Sequence, residues 1–230
     1  MDIKVLLFSK KKNIFCDYAE SILKSYFSSQ QFVSLRGVVG DRLDEEVRFY
    51  NPDYIISFVS PWIIPKEILN SAKIAAINFH PGSPEYPGSG CYNFAIYEQS
   101  KRYGVTVHHM KEKVDTGDII ATSYFDIAPF DTVETLKLKS MNHLLYLYEK
   151  VISCIALEGV LPKSDEKWKR KPFTKKDMYE MFEINPLKND EDEIKRRIKA
   201  AEYPLCRGAY INVNNQRFYL EYENRKPIVE

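Results

Sequence analysis

Four short apolar runs constrain this chain more than anything else in it. They fall at residues 3–8, 32–39, 54–59 and 74–77, each parted from the next by a helical or polar stretch. Between the first two, Cys16, Ala19, Ile22, Leu23 and Tyr26 recur at helical spacing behind Asn13, a residue suited to cap a helix. Leu43 to Tyr50 reads as a short charged helix. Short apolar runs alternating with helices at this spacing predict an α/β chain with a Rossmann-like, mainly parallel sheet and flanking helices. In such sheets, ligands bind where the strands end at their carboxyl edge. The fourth run ends there on Asn78-Phe79-His80-Pro81-Gly82, a strand end that breaks into a Pro/Gly loop.

Downstream, residues 92–100 read as a helix, 104–110 as a fifth strand, and Asp118-Ile119-Ile120-Ala121 as a return strand. Asp131 and Glu134 have capping-box spacing, and they open a long helix whose apolar positions include Leu136, Met141, Leu144, Leu145, Tyr148, Val151, Ile152 and Ile155; Gly159 closes it. After Leu161 the composition turns basic and polar. Two further helices are expected at 176–182 and 190–201, then a hairpin with Asn214-Asn215 at its turn, pairing Ile211 with Phe218 and Tyr210 with Tyr219. The expected organisation is a Rossmann-like core at residues 1–160, followed by a helical extension and a C-terminal β-hairpin at 161–230 that packs on the domain or on a second subunit.

Charge and cysteine usage narrow the function classes. With 33 basic and 32 acidic residues, the net charge is +1, which argues against nucleic acid or an anionic membrane as the main partner. The four cysteines, Cys16, Cys91, Cys154 and Cys206, lie far apart without a CxxC pair, so no metal site is expected. The opening Met1-Asp2-Ile3-Lys4-Val5 enters a strand without signal-peptide form, and a cytoplasmic protein is expected. The first loop, Ser9-Lys10-Lys11-Lys12-Asn13, lacks the glycines a dinucleotide pyrophosphate needs for close backbone approach.

Asn78 and His80 alternate, so both side chains leave the strand on the same side. Asp115 lies in the loop after the next strand and reaches His80 if the two strands are neighbours. An amide donor, an imidazole and a carboxylate around one pocket suit acyl transfer: the amide stabilises an oxyanion, the imidazole carries a proton, and the carboxylate orients the imidazole. No serine or cysteine is placed as a covalent nucleophile, so the acceptor itself attacks. On pattern alone each residue also has a structural reading, as a buried histidine, a loop cap or a turn aspartate. His108 and His109 alternate across a strand and receive no role. The stretch Lys167-Trp168-Lys169-Arg170-Lys171 reads as a solvated linker.

Four motifs, Asn78-Phe79-His80-Pro81, Tyr86-Pro87-Gly88, Gly104-Val105-Thr106-Val107-His108 and Val114-Asp115-Thr116-Gly117-Asp118-Ile119-Ile120, together resemble the signature of the formyltransferases that use N10-formyltetrahydrofolate. The resemblance implies that Asn78, His80 and Asp115 are the catalytic trio. The run from Ile77 through Tyr97, with Tyr203-Pro204 and Gly208-Ala209-Tyr210-Ile211, is more similar to the sugar N-formyltransferases. That resemblance implies a nucleotide-linked amino sugar as acceptor, dTDP-4-amino-4,6-dideoxyglucose, in surface-polysaccharide O-antigen biosynthesis, and a homodimer through the hairpin. It also implies folate contacts at Trp62, Ile63, Ile64 and Asp118, and substrate contacts at Tyr86, Tyr92 and Asn93, while Lys10, between a strand and a helix N-terminus, is placed to meet the pyrophosphate of the substrate. Other amine acceptors (methionyl-tRNA or glycinamide ribonucleotide), a formyl-folate hydrolase and a non-catalytic binding module are the alternatives.

Overall fold

The computed structural model describes residues 3–204 and 206–220. Met1, Asp2 and residues 221–230, the two ends of the expected organisation, lie outside the described residues, as does Leu205. The chain divides into two compact units: Met1–Pro87 with Gly104–Tyr124 and Ser140–Pro172, and Gly88–Tyr103 with Phe125–Lys139 and Phe173–Glu230.

Six strands form one sheet: β1 (Val5–Lys10), β2 (Phe32–Gly37), β3 (Tyr54–Phe58), β4 (Ala75–His80), β5 (Arg102–His109) and β6 (Ile119–Asp126). Their order is β2-β1-β3-β4-β5-β6. The pairs β1–β2, β1–β3 and β3–β4 are parallel, and β4–β5 is antiparallel. The expected mainly parallel sheet is present. Strand β3 is buried along its whole length and β1 over Val5–Ser9, which is why both read as continuous apolar runs rather than alternating ones. Strand β2 stops at Gly37, two residues before its apolar run does. The indole of Trp62 sits where a Cβ at Gly37 would lie, only 2.1 Å from that position, and Val38 N–H turns to the Asp41 carboxylate at 2.9 Å.

Helix α1 (Ile14–Tyr26) starts on Asn13, whose side chain accepts from the N–H groups of Phe15 and Cys16 at 3.0 and 3.2 Å. The charged segment after β2 folds as a 3₁₀ turn, Glu45–Tyr50, and α2 (Lys66–Leu69) is a single turn. Helix α3 (Cys91–Tyr97) and the long helix α4 (Val133–Glu158) follow. Met141, Leu144, Tyr148, Val151, Ile152 and Ile155 of α4 join Val5, Leu7, Tyr54, Ile56, Ile77, Phe79, Val105 and Val107 in the main core of the first unit. Gly159 ends α4 at φ 69, and its carbonyl accepts from the Tyr54 hydroxyl at 3.2 Å.

The start of α4 differs from expectation. The reciprocal pair is Thr132 with Thr135, not Asp131 with Glu134: Thr135 N–H donates to Thr132 Oγ1 at 3.2 Å, and Thr132 N–H to Thr135 Oγ1 at 2.9 Å. Asp131 is drawn inward, taking hydrogen bonds from Ala128 N–H, Thr135 Oγ1 and Lys139 Nζ. In the second unit, α5 (Lys175–Phe182) opens on a Thr174/Asp177 capping box and α6 (Glu191–Ala201) on Asp190. The hairpin of β7 (Tyr210–Val213) and β8 (Gln216–Tyr219) has the expected register, with Asn214 and Asn215 at φ 50 and 64. Tyr210 is buried, and its hydroxyl donates to the Tyr179 carbonyl at 3.2 Å, whereas Val213 and Phe218 are exposed. Among the described residues, no helix is long and apolar enough to cross a membrane.

Candidate active site

Strand β4 places three side chains by alternation. Phe79 turns into the core against Phe58 and Tyr148, with ring centroids 5.9 and 4.9 Å away. Asn78 and His80 turn the other way. The antiparallel register sets His108 directly opposite Asn78, and Thr106 opposite His80. The Asn78 amide consequently meets His108 Nε2 at 3.1 Å, and Thr106 Oγ1 donates to the Gly82 carbonyl at 2.8 Å, tying down the loop after the strand.

The loop between β5 and β6 supplies the carboxylate. Asp115 Oδ2 lies 3.2 Å from His80 Nδ1, and Oδ1 lies 3.1 Å from His108 Nε2. Asp115 holds φ 48, a left-handed conformation that costs a non-glycine residue roughly 1–2 kcal/mol. Three contacts sustain it. Thr116 Oγ1 donates to the Lys113 carbonyl at 2.8 Å, His109 N–H to the Asp118 carbonyl at 2.9 Å, and Trp168 Nε1 to the Gly117 carbonyl at 2.7 Å. Gly117 approaches the His109 backbone so closely that a Cβ would stand 1.7 Å from its carbonyl oxygen.

His80, His108 and Asp115 are all buried, which strengthens electrostatic interaction among them. The second nitrogen of each ring faces a backbone carbonyl: His80 Nε2 meets Tyr86 O at 3.0 Å, and His108 Nδ1 meets His109 O at 2.8 Å. Trp168 covers both imidazoles edge-on, at 6.0 Å from His80 and 5.1 Å from His108. Lys169 N–H donates to the Pro84 carbonyl at 2.9 Å, and the Arg170 guanidinium lies 5.3 Å from the Tyr86 ring centre. The basic stretch expected as a solvated linker thus contributes to the site. Ser83 Oγ is buried and meets no partner among the described residues.

Asn78, His80, Asp115 and Tyr86 are brought together. Tyr86 contributes its backbone oxygen, its ring being buried. Lys10, the last residue of β1, and Trp62, Ile63 and Ile64 in the segment after Phe58 lie along the same rim, because β1 and β3 run parallel to β4 in the strand order. Trp62 packs edge-on at 6.0 Å against Phe8 and donates to the Asp41 carbonyl at 3.0 Å. Ile64 is buried beside Leu6 and Phe8, and Ile63 projects outward with 79% of its surface exposed. The Asp118 side chain is also exposed and pairs with Lys111 at 3.8 Å. Lys10 is half-buried, with its carbonyl taken by Arg36.

Tyr92 and Asn93 belong to the second unit. There they line a cavity of about 590 Å³ with Tyr179, Tyr210, Arg207 and Arg217. Asn93 Nδ2 donates to the Ala200 carbonyl at 2.7 Å, fixing α3 to α6. Burial pushes the Tyr92 phenol well above its ordinary range. No group of three or more His, Cys, Asp or Glu among the described residues is placed to hold a metal ion.

Sequence reasoning passed over His108 and Trp168. The signal for His108 was parity: Thr106 and His108 share one face of β5, the face that an antiparallel neighbour of β4 would turn toward Asn78 and His80.

The fold and this cluster define a class: an open α/β protein with an amide beside a buried imidazole–carboxylate array at the carboxyl rim of its sheet. A family profile described as Formyl transferase matches residues 3–150, and the chain belongs to the formyl transferase family. Methionyl-tRNA formyltransferase from Bacillus subtilis (strain 168) is 36% identical over 124 residues, covering 53% of this chain and 39% of that protein. The chain thus spans about two fifths of the length of that curated relative. A sugar N-formyltransferase structure from Shewanella aligns over 95% of this chain and 97% of its own, at TM-score 0.78 and 16% identity. An N-formyltransferase from Helicobacter canadensis, solved with folinic acid and dTDP-3-aminofucose, aligns over 94% and 86% at TM-score 0.67 and 21% identity. These two likenesses establish the shared fold.

Proposed function

We propose that this chain is an N-formyltransferase that moves the formyl group of N10-formyltetrahydrofolate to the amine of a nucleotide-linked amino sugar, dTDP-4-amino-4,6-dideoxyglucose. The observation that carries the reading is the Asn78–His80–Asp115 cluster, with both Asp115 oxygens committed to imidazoles. The uncharged amine attacks the formyl carbon, forming a C–N bond while the carbonyl pair moves onto oxygen. Asn78, half-exposed at the strand end, donates to that oxyanion. His80 takes up the proton that the attacking amine sheds and delivers it to N10 as the bond from carbon to that nitrogen breaks. Asp115 stabilises the imidazolium between those events. Removing the oxyanion donor by Asn78→Ala should lower kcat by about 10²–10³-fold, and His80→Ala by about 10²–10⁴-fold. Near-normal turnover in the His80 variant would refute the mechanism.

The acceptor reading draws on the resemblance of the run from Ile77 through Tyr97 to the sugar N-formyltransferases. The Helicobacter neighbour, solved with a dTDP-amino sugar and a folate, supports the same pairing of ligands. The exposed Val213 and Phe218 face of the hairpin suits a homodimer, and the expected compartment is the cytoplasm. A second reading, methionyl-tRNA formylation, has in its favour the 36% identity to the Bacillus enzyme.

The test is mass detection of a formylated product after incubation of N10-formyltetrahydrofolate with dTDP-4-amino-4,6-dideoxyglucose, methionyl-tRNA and glycinamide ribonucleotide in turn. Formylation of the sugar alone supports the proposal. Formylation of either other acceptor alone, release of formate without an acceptor, or binding without any product each overturns it.

A further inference from the structure

We propose that Trp168, carried on a strap of residues 164–170, decides whether the formyl group passes to the amine or to water; the inference rests on the formyl-transfer reading above. The strap has no regular secondary structure, yet its burial alternates. Ser164, Glu166 and Trp168 are half-buried, and Lys163, Asp165, Lys167 and Lys169 are exposed. Period two marks an extended segment with one side laid on the protein. Three contacts hold it there, all within the first unit. Glu166 accepts from the Tyr124 hydroxyl at 3.1 Å, Trp168 Nε1 donates to the Gly117 carbonyl at 2.7 Å, and Lys169 N–H donates to the Pro84 carbonyl at 2.9 Å. The anchors lie on β6, on the loop that carries Asp115 and on the loop after His80. They fix the indole 6.0 Å from the His80 ring and 5.1 Å from that of His108, at interplanar angles of 71° and 78°.

Burial around the cluster is lopsided. His80 and Asp115 are each 5% exposed and His108 2%, whereas Asn78 is half-exposed at the strand end. The formyl oxygen meets Asn78, so the reacting carbon enters from the amide side while Trp168 covers the imidazoles. The chemistry makes that cover matter. The acceptor itself attacks, with no covalent intermediate to shield the formyl group, so any nucleophile that reaches His80 competes. An imidazole that takes a proton from an amine can take one from water. In that side reaction the water oxygen bonds to the formyl carbon, and His80 takes the water proton and passes it to N10 as the bond from carbon to N10 breaks. Formate and tetrahydrofolate leave. The amine is held by the rest of its substrate, whereas water arrives wherever there is room. A side chain that fills the space beside the base therefore favours transfer by excluding the competitor. Tryptophan suits the task, because its one polar group, the indole N–H, is already spent on Gly117 and the remainder offers water nothing to bind.

The test measures formate and formylated product from one mixture of N10-formyltetrahydrofolate and the acceptor that the panel above selects. It compares the parent with Trp168→Phe, Trp168→Leu and Trp168→Ala, each used where urea unfolding shows it folded. Expected is a formate-to-product ratio that climbs as the cover shrinks, by about tenfold in Trp168→Ala and by less than about threefold in Trp168→Phe. A tryptophan that only stabilises the fold would lower both products together and leave the ratio unchanged. That result in the folded Leu or Ala variant overturns the proposal. A second arm needs no substrate. Diethyl pyrocarbonate, followed by peptide mass, should modify His80 several-fold faster in Trp168→Leu or Trp168→Ala than in the parent, and an equal rate overturns the cover. A parent that transfers formyl to none of the three acceptors refutes the formyl-transfer reading and the partition with it, whereas an active parent whose ratio stays flat across the series refutes the partition alone.

Discussion

Gly117→Ala should damage the site from a position that carries no chemistry. A Cβ there would meet the His109 carbonyl oxygen at 1.7 Å and its carbon at 2.7 Å. Real Cβ contacts stay beyond 3.0 Å, so the loop must withdraw by roughly 1.3 Å or the end of β5 must give way. Either movement reaches the array at once. Asp115, two residues back, touches His80 and His108 at 3.2 and 3.1 Å, and a shift of that size takes both contacts out of hydrogen-bond range. The Gly117 carbonyl also anchors Trp168 at 2.7 Å, so the ring covering the imidazoles loses its tether. A displacement of about 1 Å at reacting groups can cost about 10²-fold in rate, and the overpacking itself about 1–3 kcal/mol of stability. The assay is kcat for formyl transfer beside urea unfolding of the same preparation. Expected is a drop in kcat of roughly 10²-fold, measured where the variant is fully folded. A folded variant with turnover within twofold of the parent would show that the loop does not set the position of Asp115.

Trp168→Phe keeps a ring over His80 and His108 but loses the bond to Gly117; stability should fall by about 0.5–1.5 kcal/mol in denaturant unfolding, with kcat falling more than KM rises. Asp131→Asn should destabilise the protein near neutrality by about 1–3 kcal/mol and progressively less in acid. Burial alone would raise the Asp131 carboxyl, but Lys139, Ala128 N–H and Thr135 outweigh it and hold it below its ordinary range. Its contribution is therefore complete above the unfolded carboxyl pKa of about 3.9 and lost as pH falls through the lower folded value, so urea midpoints of parent and variant should converge at low pH. Phe218→Asp on the exposed face of the hairpin should convert the proposed dimer to monomers in sedimentation velocity; a parent that already sediments as a monomer refutes that proposal.

How much of this was legible in the sequence depends on whether a local rule decides the feature. The parallel strands were legible because strands buried on both faces must be apolar throughout. The hairpin register followed from Asn214-Asn215, since two residues at positive φ fix the pairing on either side. Asn78 and His80 followed from period-two alternation alone. Each of these lies within one or two elements of chain.

The start of α4 was ambiguous at the level of sequence, because Asp131/Glu134 and Thr132/Thr135 share the same spacing of three. What separates them is Lys139, whose ammonium claims the Asp131 carboxylate and leaves the reciprocal capping to the threonines. Trp168 was hidden for a different reason. Its neighbours are basic and show no periodicity, and the partner of its indole N–H is a backbone carbonyl 51 residues away, invisible to any side-chain pattern. His108 was hidden by register. Alternation placed it on one face of β5, but only the antiparallel pairing of β4 with β5 sets it across from Asn78 rather than one step along. A one-step slip would turn His109 toward Asn78 and send His108 to the other face. The site therefore depends on a single pairing register, and that register is held by the tight approach of Gly117 to His109 and by Thr106 on Gly82.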